Sequence, residues 1–216
     1  MSDLEKLFDS HTHNFDTKNR GIVQVTLSSR ENLPFYFSFG VHPEESTVDL
    51  AEIEDLCNKF IQKPGFLAIG EIGLDNRYAS LDKQEEIFVF QLKLAAKFNK
   101  PVILHCVNSW DRCRFLHEKN APETMLIYHG FNKASITESV LDYPNSIISI
   151  GESVLTNQQL QSSLAHIPDT RLLIETDTGK GELIDTYRLV AEIKKLSLQA
   201  LTELLNQNAK RIFKYE

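Results

Sequence analysis

The feature that most constrains the fold is a regular alternation of short apolar runs with longer amphipathic ones. Apolar runs predict eight β-strands, near residues 6–9, 21–27, 35–40, 66–70, 102–104, 125–128, 146–150 and 172–175. Helical spacing predicts helices over 48–61, 81–98, 109–119, 134–141, 157–164, 184–195 and 198–215. Strands that alternate with helices imply crossover connections and a parallel sheet. Eight such strands predict an α/β fold, a (β/α)8 barrel of the TIM type.

The first two connections in this pattern are too short to hold a helix. Only residues 14–20 separate the first two strands, and only 28–34 separate the second from the third. A parallel crossover usually needs roughly a dozen residues or more. We therefore expect the first two outer helices to be missing or reduced. Strands one to three should then expose an apolar face that the C-terminal helices or a second subunit would cover, which predicts a homo-oligomer. The side chains expected on that face are Val23, Val25, Leu27, Phe35, Phe37 and Phe39.

Length and charge limit the classes of function. At 216 residues the chain fits one domain, which we place at 1–216. A net charge of −7 leaves no basic surface for wrapping duplex nucleic acid, so metal ions and a few local cations would have to hold any polyanionic substrate. No apolar run approaches about 20 residues and the N-terminus lacks an apolar signal core, which predicts a cytoplasmic protein. Cys57 is expected in the core, and His117 and His166 on the surface.

Six potential metal ligands recur at or just past the ends of the predicted strands. They are His11, His13, Glu71, His105, His129 and Asp177. In a barrel of parallel strands the carboxyl ends meet at one face, which is where active sites of this fold lie. The repetition therefore predicts a divalent metal site at that face.

Each ligand type suits a particular part in such a site. His11 and His13 alternate along one segment, so both imidazoles face the same side. Glu71 lies between glycines, and its two oxygens can bridge two cations about 3.5–4 Å apart. His105 and His129 can supply the imidazole pair of a second metal. Asp177 follows a buried strand, where an unpaired charge is costly, so we expect it to ligate a metal, accept a proton from the attacking water, or both.

Other residues are expected to contact the substrate. His42 leaves the third strand at the same face and is a candidate proton donor, or a group that orients a ligand. Arg77 and Lys180 lie close in sequence to Glu71 and Asp177, so they are the preferred phosphate-binding cations. The ligand types allow up to two divalent ions and do not distinguish among Zn, Mn, Mg, Ni and Co.

The ordered motifs of the chain resemble those of the TatD family of metal-dependent deoxyribonucleases, a group of amidohydrolase-like barrels. The resemblance runs from Phe8 to Phe213. It rests on Asp9-Ser10-His11-Thr12-His13, Gly40-Val41-His42-Pro43, Gly70-Glu71-Ile72-Gly73-Leu74-Asp75, Pro101-Val102-Ile103-Leu104-His105, His129-Gly130-Phe131, Glu175-Thr176-Asp177 and Asn208-Ala209-Lys210-Arg211-Ile212-Phe213. The resemblance implies that His11, His13 and Asp177 bind one metal, that His105 and His129 bind the other, and that Glu71 bridges them.

The chain departs from the family pattern around the substrate. His105-Cys106-Val107 replaces the usual His-Ser-Arg, so a phosphate-binding Arg is lost at Val107. Thr176-Asp177-Thr178-Gly179 replaces Thr-Asp-Ala-Pro, and His42-Pro43-Glu44 replaces His-Pro-His. All the expected ligands remain.

Three functions are consistent with this sequence. The first is a two-metal phosphodiesterase or deoxyribonuclease that acts on DNA ends or a related phosphoester, with single-stranded DNA or a small phosphoester as substrate. The second is a metal-dependent hydrolase of C–N or C–O bonds. Several barrels of that kind bridge their metals with a carbamylated Lys on the fourth strand, and Glu71 in that place argues against it. The third is a non-catalytic metal-binding relative, against which the intact ligand set counts.

Overall fold

Eight β-strands form one sheet in which each strand pairs with its neighbours in chain order. The computed structural model describes residues 6–17, 20–45, 47–78 and 80–215. The strands are β1 (Phe8–Thr12), β2 (Arg20–Val25), β3 (Phe37–Phe39), β4 (Phe66–Asp75), β5 (Val102–Val107), β6 (Leu126–Tyr128), β7 (Ser146–Ile150) and β8 (Leu172–Ile174). Pairing is parallel between β1 and β2, β3 and β4, β4 and β5, and β7 and β8. A parallel bridge between Thr12 and Asp177 links the end of β1 to the segment after β8.

Helices follow β3 and each later strand. They are α1 (Leu50–Phe60), α2 (Leu81–Phe98), α3 (Trp110–Asn120), α4 (Thr137–Leu141), α5 (Gln158–Leu164), α6 (Leu183–Lys194) and α7 (Leu198–Phe213). Among the described residues, no helix lies between β1 and β2 or between β2 and β3, so the predicted loss of the first two outer helices is confirmed. The (β/α)8 fold class is confirmed as well. None of the helices within the described ranges is long and apolar enough to cross a membrane.

The chain divides into two compact units. The first, here called the terminal unit, contains the described residues up to Val23 together with 128–214. In it α7 packs on β1, with the rings of Phe8 and Phe213 centred 6.2 Å apart. The Tyr187 hydroxyl of α6 donates a 2.8 Å hydrogen bond to the carbonyl of Phe8. These contacts fix the strand on which His11 lies.

The second, central unit contains residues 24–127 and Tyr215. An exposed apolar face was expected on strands β1 to β3, but most of its side chains are buried, several of them in an aromatic core of this unit. Phe37 and Phe39 are fully buried because both rings pack on Phe60 of α1, at centroid distances of 5.4 and 5.1 Å. Val23 and Val25 are also buried, and of the expected stripe only Phe35 is strongly exposed, at 83%. Most of the apolar side chains from which a homo-oligomer was predicted are therefore buried within the chain itself. Homo-oligomerisation stays a prediction.

Two glutamines on the buried face of α2 position the loops that carry site residues. The amide of Gln91 accepts a 2.8 Å hydrogen bond from the backbone N–H of Val41 and donates one of 3.2 Å to its carbonyl. Gln84 makes the same pair of bonds to the backbone of Asp75, at 2.9 and 3.2 Å. Because buried backbone groups are costly to leave unpaired, these amides hold the chain just before His42 and at the end of β4.

The fold settles the expected burial or exposure of three single side chains. Cys57 lies in the core, as predicted. His117 was expected on the surface, but it is fully buried, with its Nε2 atom 2.8 Å from the Thr124 hydroxyl. Burial lowers the pKa of His117 to about 4, so the ring packs as a neutral group. His166 is exposed, as expected.

Candidate functional site

In the terminal unit, β1 and the segment after β8 bring His11, His13 and Asp177 together. The backbone N–H of His13 donates to the Asp177 carbonyl at 3.1 Å, and the N–H of Asp177 donates to the His11 carbonyl at 2.9 Å. Asp177 Oδ1 lies 3.7 Å from His11 Nε2 and 3.5 Å from His13 Nε2. His11 is fully buried, whereas about a third of the His13 and Asp177 side chains is exposed. Solvent can therefore reach the carboxylate without reaching the first imidazole.

Asp9 holds the segment that carries Asp177. Its buried carboxylate accepts hydrogen bonds from the Thr176 backbone N–H at 3.0 Å and from the Thr176 hydroxyl at 2.6 Å. Asp177 itself has φ of +52°, in the left-handed region that Asp tolerates better than most residues. Burial raises the pKa of Asp9 to about 7, although the bonds from Thr176 act in the opposite direction. The two contacts fix the backbone just before the strained residue.

His129 follows β6 and is held by Glu175, a fully buried carboxylate at the end of β8. Glu175 Oε1 lies 3.4 Å from His129 Nδ1 and accepts a 2.5 Å hydrogen bond from the backbone N–H of Gly130. The Ser149 hydroxyl donates to its other oxygen. Burial alone would raise the pKa of Glu175, but the interaction with His129, the charge of His11 and the hydrogen bond from Ser149 together lower it. A carboxylate on one imidazole nitrogen commonly orients a metal-ligating His.

The terminal unit therefore contains a set of donors that suits a divalent metal. One ligating atom each from His11, His129 and Asp177 lie within 4.8 Å of one another. Two imidazoles and a carboxylate are ligands that zinc and other first-row divalent ions accept. The resemblance placed His129 with His105, whereas within this unit it groups with His11 and Asp177. The assignment of each ligand to a particular ion stays a prediction.

In the central unit, Glu71 and His105 form the core of a second cluster. Glu71 is buried, and its Oε1 lies 2.5 Å from His105 Nδ1. The strand β4 runs on to Asp75, so Glu71 lies inside the strand and not at the strand-to-loop corner that the sequence suggested. The glycine before it permits a close backbone approach, because a Cβ at Gly70 would lie 2.6 Å from Cβ of Ile103. Flanking glycines thus allow β4 and β5 to pack tightly around the carboxylate.

Asp75 orients His105 from the other side of its ring. Its carboxylate lies 2.9 Å from His105 Nε2, and it also accepts hydrogen bonds from Arg77, through Nε at 2.9 Å and Nη2 at 2.6 Å. Burial alone would raise the pKa of Asp75, but the bonds from Arg77 and His105 hold it well below its usual range. With Nε2 facing Asp75, the other ring nitrogen of His105 is directed toward Glu71. This is the carboxylate–histidine arrangement that fixes a metal-ligating imidazole.

His42 completes the second cluster. Its Nε2 lies 3.3 Å from His105 Nδ1 and 3.9 Å from Glu71 Oε1, so the three residues are a further set with ligating atoms within 4.8 Å. The backbone N–H of Glu44 donates to His42 Nδ1 at 3.1 Å. Burial lowers the pKa of His42. A neutral ring that accepts at Nδ1 carries its proton on Nε2, so His42 faces the cluster as a hydrogen-bond donor.

The expected phosphate-binding cations lie in different settings. Arg77 is largely exposed, but its guanidinium is joined to Asp75 and lies 5.9 Å from the centre of the Tyr78 ring. Lys180 is exposed in the terminal unit. Phosphate binding by these two cations stays a prediction, and Arg77 also holds the Asp75 carboxylate.

Three site residues were not assigned a part from the sequence, namely Asp9, Asp75 and Glu175. Asp9 and Glu175 lie two residues before His11 and Asp177, and Asp75 lies four residues after Glu71 on the same strand. Since residues i, i+2 and i+4 share a face of a strand, that spacing places all three on the same side as the candidate ligands. This signal was available, but it does not distinguish a ligand from a group that holds a ligand.

Comparison with known proteins identifies the family of the chain. The family model described as TatD related DNase matches residues 10–214. A metal-dependent hydrolase of Buchnera aphidicola is 31% identical, over 97% of this chain and 90% of its own. The 3'-5' ssDNA/RNA exonuclease TatD of Escherichia coli K12 is 32% identical over 74% of this chain and 64% of its own. The crystal structure of YJJV, a TatD homologue from E. coli K12, superposes with a TM-score of 0.82 at 21% identity, covering 99% of this chain and all of that one. The chain belongs to the TatD family of metal-dependent hydrolases.

Proposed function

We propose that this metal-dependent hydrolase is a phosphodiesterase that acts on single-stranded nucleic acid ends or a related phosphoester. The observation that carries the proposal is that each unit brings imidazoles and a carboxylate together, with one atom of each residue within 4.8 Å of the others. The two clusters suit up to two divalent ions per chain, with His42 as a donor and not a ligand in the central one. A relative whose printed name is 3'-5' ssDNA/RNA exonuclease supports nucleic acid as the substrate class.

The residues of the terminal unit are suited to moving a proton. Divalent ions, when bound, would supply Lewis-acid polarisation of a phosphoryl oxygen and lower the pKa of a nearby water by several units. Asp177 is the partly exposed carboxylate of its cluster, so it can accept the proton of the attacking water. Asp9 and Thr176 hold its backbone, which keeps the carboxylate directed at the two imidazoles.

In the central unit the proposed roles are hydrogen-bond donation to the substrate and metal binding. His42 directs its Nε2 proton into its cluster, where it can stabilise negative charge on a substrate oxygen. Glu71 and His105 are the proposed ligands there, and the bridging role of Glu71 remains a prediction from the sequence. Arg77 and Lys180 are the proposed phosphate-binding cations in place of the Arg that is lost at Val107. A cytoplasmic location and a homo-oligomer remain predictions as well.

The test is a substrate panel on protein loaded in turn with Zn, Mn, Mg, Co or Ni, with bound metal counted for each. Single-stranded oligonucleotides and 4-nitrophenyl phosphodiesters are compared with amides and lactones. We expect hydrolysis of the phosphodiesters and release of nucleotides from strand ends. Turnover of amides or lactones alone would favour the C–N or C–O hydrolase. No turnover of any substrate with full metal occupancy would favour a non-catalytic relative.

Replacing Asp177 with Asn separates proton transfer from metal binding. Asp177→Asn keeps the shape and one ligating oxygen but removes most of the basicity, so phosphodiester turnover should fall by about 10²–10⁴-fold while most metal is retained. Asp142→Asn, at an exposed position after α4, is the matched control and should leave both unchanged. Near wild-type turnover by Asp177→Asn at equal metal content would mean that the proton goes elsewhere, with His42 the next candidate.

A further inference from the structure

A cavity of about 260 Å³ lies in the central unit, beside the ends of β4 and β5 and under the first turns of α2 and α3. Its lining includes Leu74, Asn76, Glu85, Asn108, Trp110 and Asp111. None of these residues has a part in the proposed hydrolysis. The cavity is open on one side, and the half-buried Trp110, the first residue of α3, is the aromatic group in its wall.

The walls of the cavity are fixed before any ligand binds. Asn76 Nδ2 donates a 2.9 Å hydrogen bond to the carbonyl of Asn108, and the Ser109 hydroxyl donates to Asn76 Oδ1 at 2.9 Å. The guanidinium of Arg112 is bound to Glu85 through Nε at 2.7 Å and through Nη2 at 2.5 Å. These bonds tie the loops after β4 and β5 to each other and the start of α3 to α2. A preformed recess loses less entropy when it takes up a ligand.

The chemistry of the lining selects a base and not a phosphate. Arg112 is the cation of the lining, and the carboxylate of Glu85 balances its charge. Asp111 adds a second carboxylate to the lining. An anion would therefore meet net negative charge. A flat aromatic ligand can stack on Trp110, and carboxylates accept hydrogen bonds from exocyclic amino groups, as Asp and Glu do from cytosine. We propose that this cavity is a nucleobase subsite with a preference for amino-bearing bases over thymine or uracil.

The position of the cavity relative to His105 indicates which nucleotide of the substrate would place its base there. Asp75 directs its carboxylate to His105, so its neighbour Leu74 faces the opposite side of β4, and Asn76 follows the end of the strand. Asn108 follows His105 by three residues, so the chain between them spans at most about 10 Å. The base in the cavity would therefore belong to a nucleotide next to the one being cleaved, with the strand crossing the ends of β4 and β5. The inference rests on the proposed function, because it takes single-stranded nucleic acid as the substrate.

Trp110 makes the subsite directly observable, because it is the single tryptophan of the chain. The full-length, metal-loaded protein is titrated with a phosphorothioate deoxyadenosine hexamer, and tryptophan fluorescence is recorded. The control ligand is a phosphorothioate hexamer of the same length whose sugars carry no bases. We expect saturable quenching by the first and none by the second. No quenching by the adenine hexamer, or equal quenching by both, overturns the subsite. Phosphodiester turnover, measured separately, decides the proposed function.

Variants test the same subsite by the anisotropy of a fluorescein-labelled phosphorothioate hexamer, which needs no turnover. Trp110→Leu should weaken binding about 5- to 100-fold, the usual effect of losing one stacked base. Asp111→Asn should reduce the preference for adenine or cytosine hexamers over thymine. Phe35→Leu, at an exposed position of the central unit outside the cavity, is the control and should change neither. Wild-type affinity and base preference in folded Trp110→Leu and Asp111→Asn proteins would overturn the proposal.

Discussion

Three buried carboxylates, Asp9, Asp75 and Glu175, each position a more exposed group of the site. Asp9 holds the backbone before Asp177, and the other two lie against one nitrogen of His105 and of His129. Because an imidazole bound on one side by a carboxylate has a fixed orientation and greater basicity, such partners tune a ligand without contacting the metal. The orientation of the side chains in the candidate site thus depends on buried carboxylates that contact them.

Glu175→Gln is the direct test of such a partner. Gln has nearly the same shape but no charge, so His129 should lose its orienting carboxylate while the fold persists. We expect metal affinity to fall about 10–100-fold, measured by competition with a chromophoric chelator. Glu192→Gln, exposed on α6, serves as the control. Unchanged affinity in Glu175→Gln would show that Ser149 and Gly130 hold the loop without help from the charge.

Candidate ligands could be proposed from the sequence because polar residues that end apolar runs stand out. The groups behind them were harder to assign, since a buried Asp or Glu has the same sequence signature whether it ligates, accepts a proton or orients a histidine. Only the contacts distinguish these cases. For His129, Glu175 lies two strands further along the sheet, yet its carboxylate comes within 3.4 Å of the ring.

Among the elements, β4 and α2 do most to place the central cluster. All ten residues of β4 are buried, from Phe66 to Asp75. The sequence ended this strand at residue 70, because an apolar run stops where Glu71 begins. The prediction failed there since both carboxylates of the strand have partners, His105 for Glu71 and Arg77 with His105 for Asp75, which permit their burial. Elsewhere the apolar runs located the strands to within a few residues.

The glutamine contacts of α2 give an element-scale prediction. Gln91→Leu removes both hydrogen bonds to Val41 and leaves its buried N–H and carbonyl unpaired. Each unpaired buried group costs about 1–3 kcal/mol, so the free energy of unfolding should fall by about 2–5 kcal/mol in urea titrations. Lys93→Gln, exposed on the same helix, should change it little. A loss below 1 kcal/mol would mean that water or a local shift replaces the amide.

For the whole molecule, two buried groups give opposite dependences of stability on pH. Burial raises the pKa of Asp9 from 3.8 to about 7, so its contribution is fully present below about pH 4 and is lost as the pH rises to about 7. Burial lowers the pKa of His117 from 6.5 to about 4, so its contribution is present above about pH 6.5 and is lost as the pH falls to about 4. The pKa of His42 is lowered too, in the same direction as that of His117. The two effects largely offset each other between pH 4 and pH 7.

Single replacements should reveal each effect in protein freed of metal by a chelator. In Asp9→Asn, the free energy of unfolding should rise with pH between about 4 and 6.5, by up to about 3 kcal/mol. In His117→Asn it should fall with pH between about 4 and 7, by up to about 4 kcal/mol. Urea titrations at pH 5 and pH 7 measure both slopes. An Asp9→Asn protein with the wild-type slope would show that this carboxyl ionises normally in the folded state.

The orientation of His42 does not depend on which side chain stands two positions later, at residue 44. The hydrogen bond that fixes the ring comes from the main-chain N–H of Glu44, not from its side chain. Every residue except proline carries that N–H. The side chain at position 44 can therefore change without loss of the tautomer of His42. Because the backbone supplies the orientation of this proposed donor, the neighbouring side chain is left available to contact a different substrate.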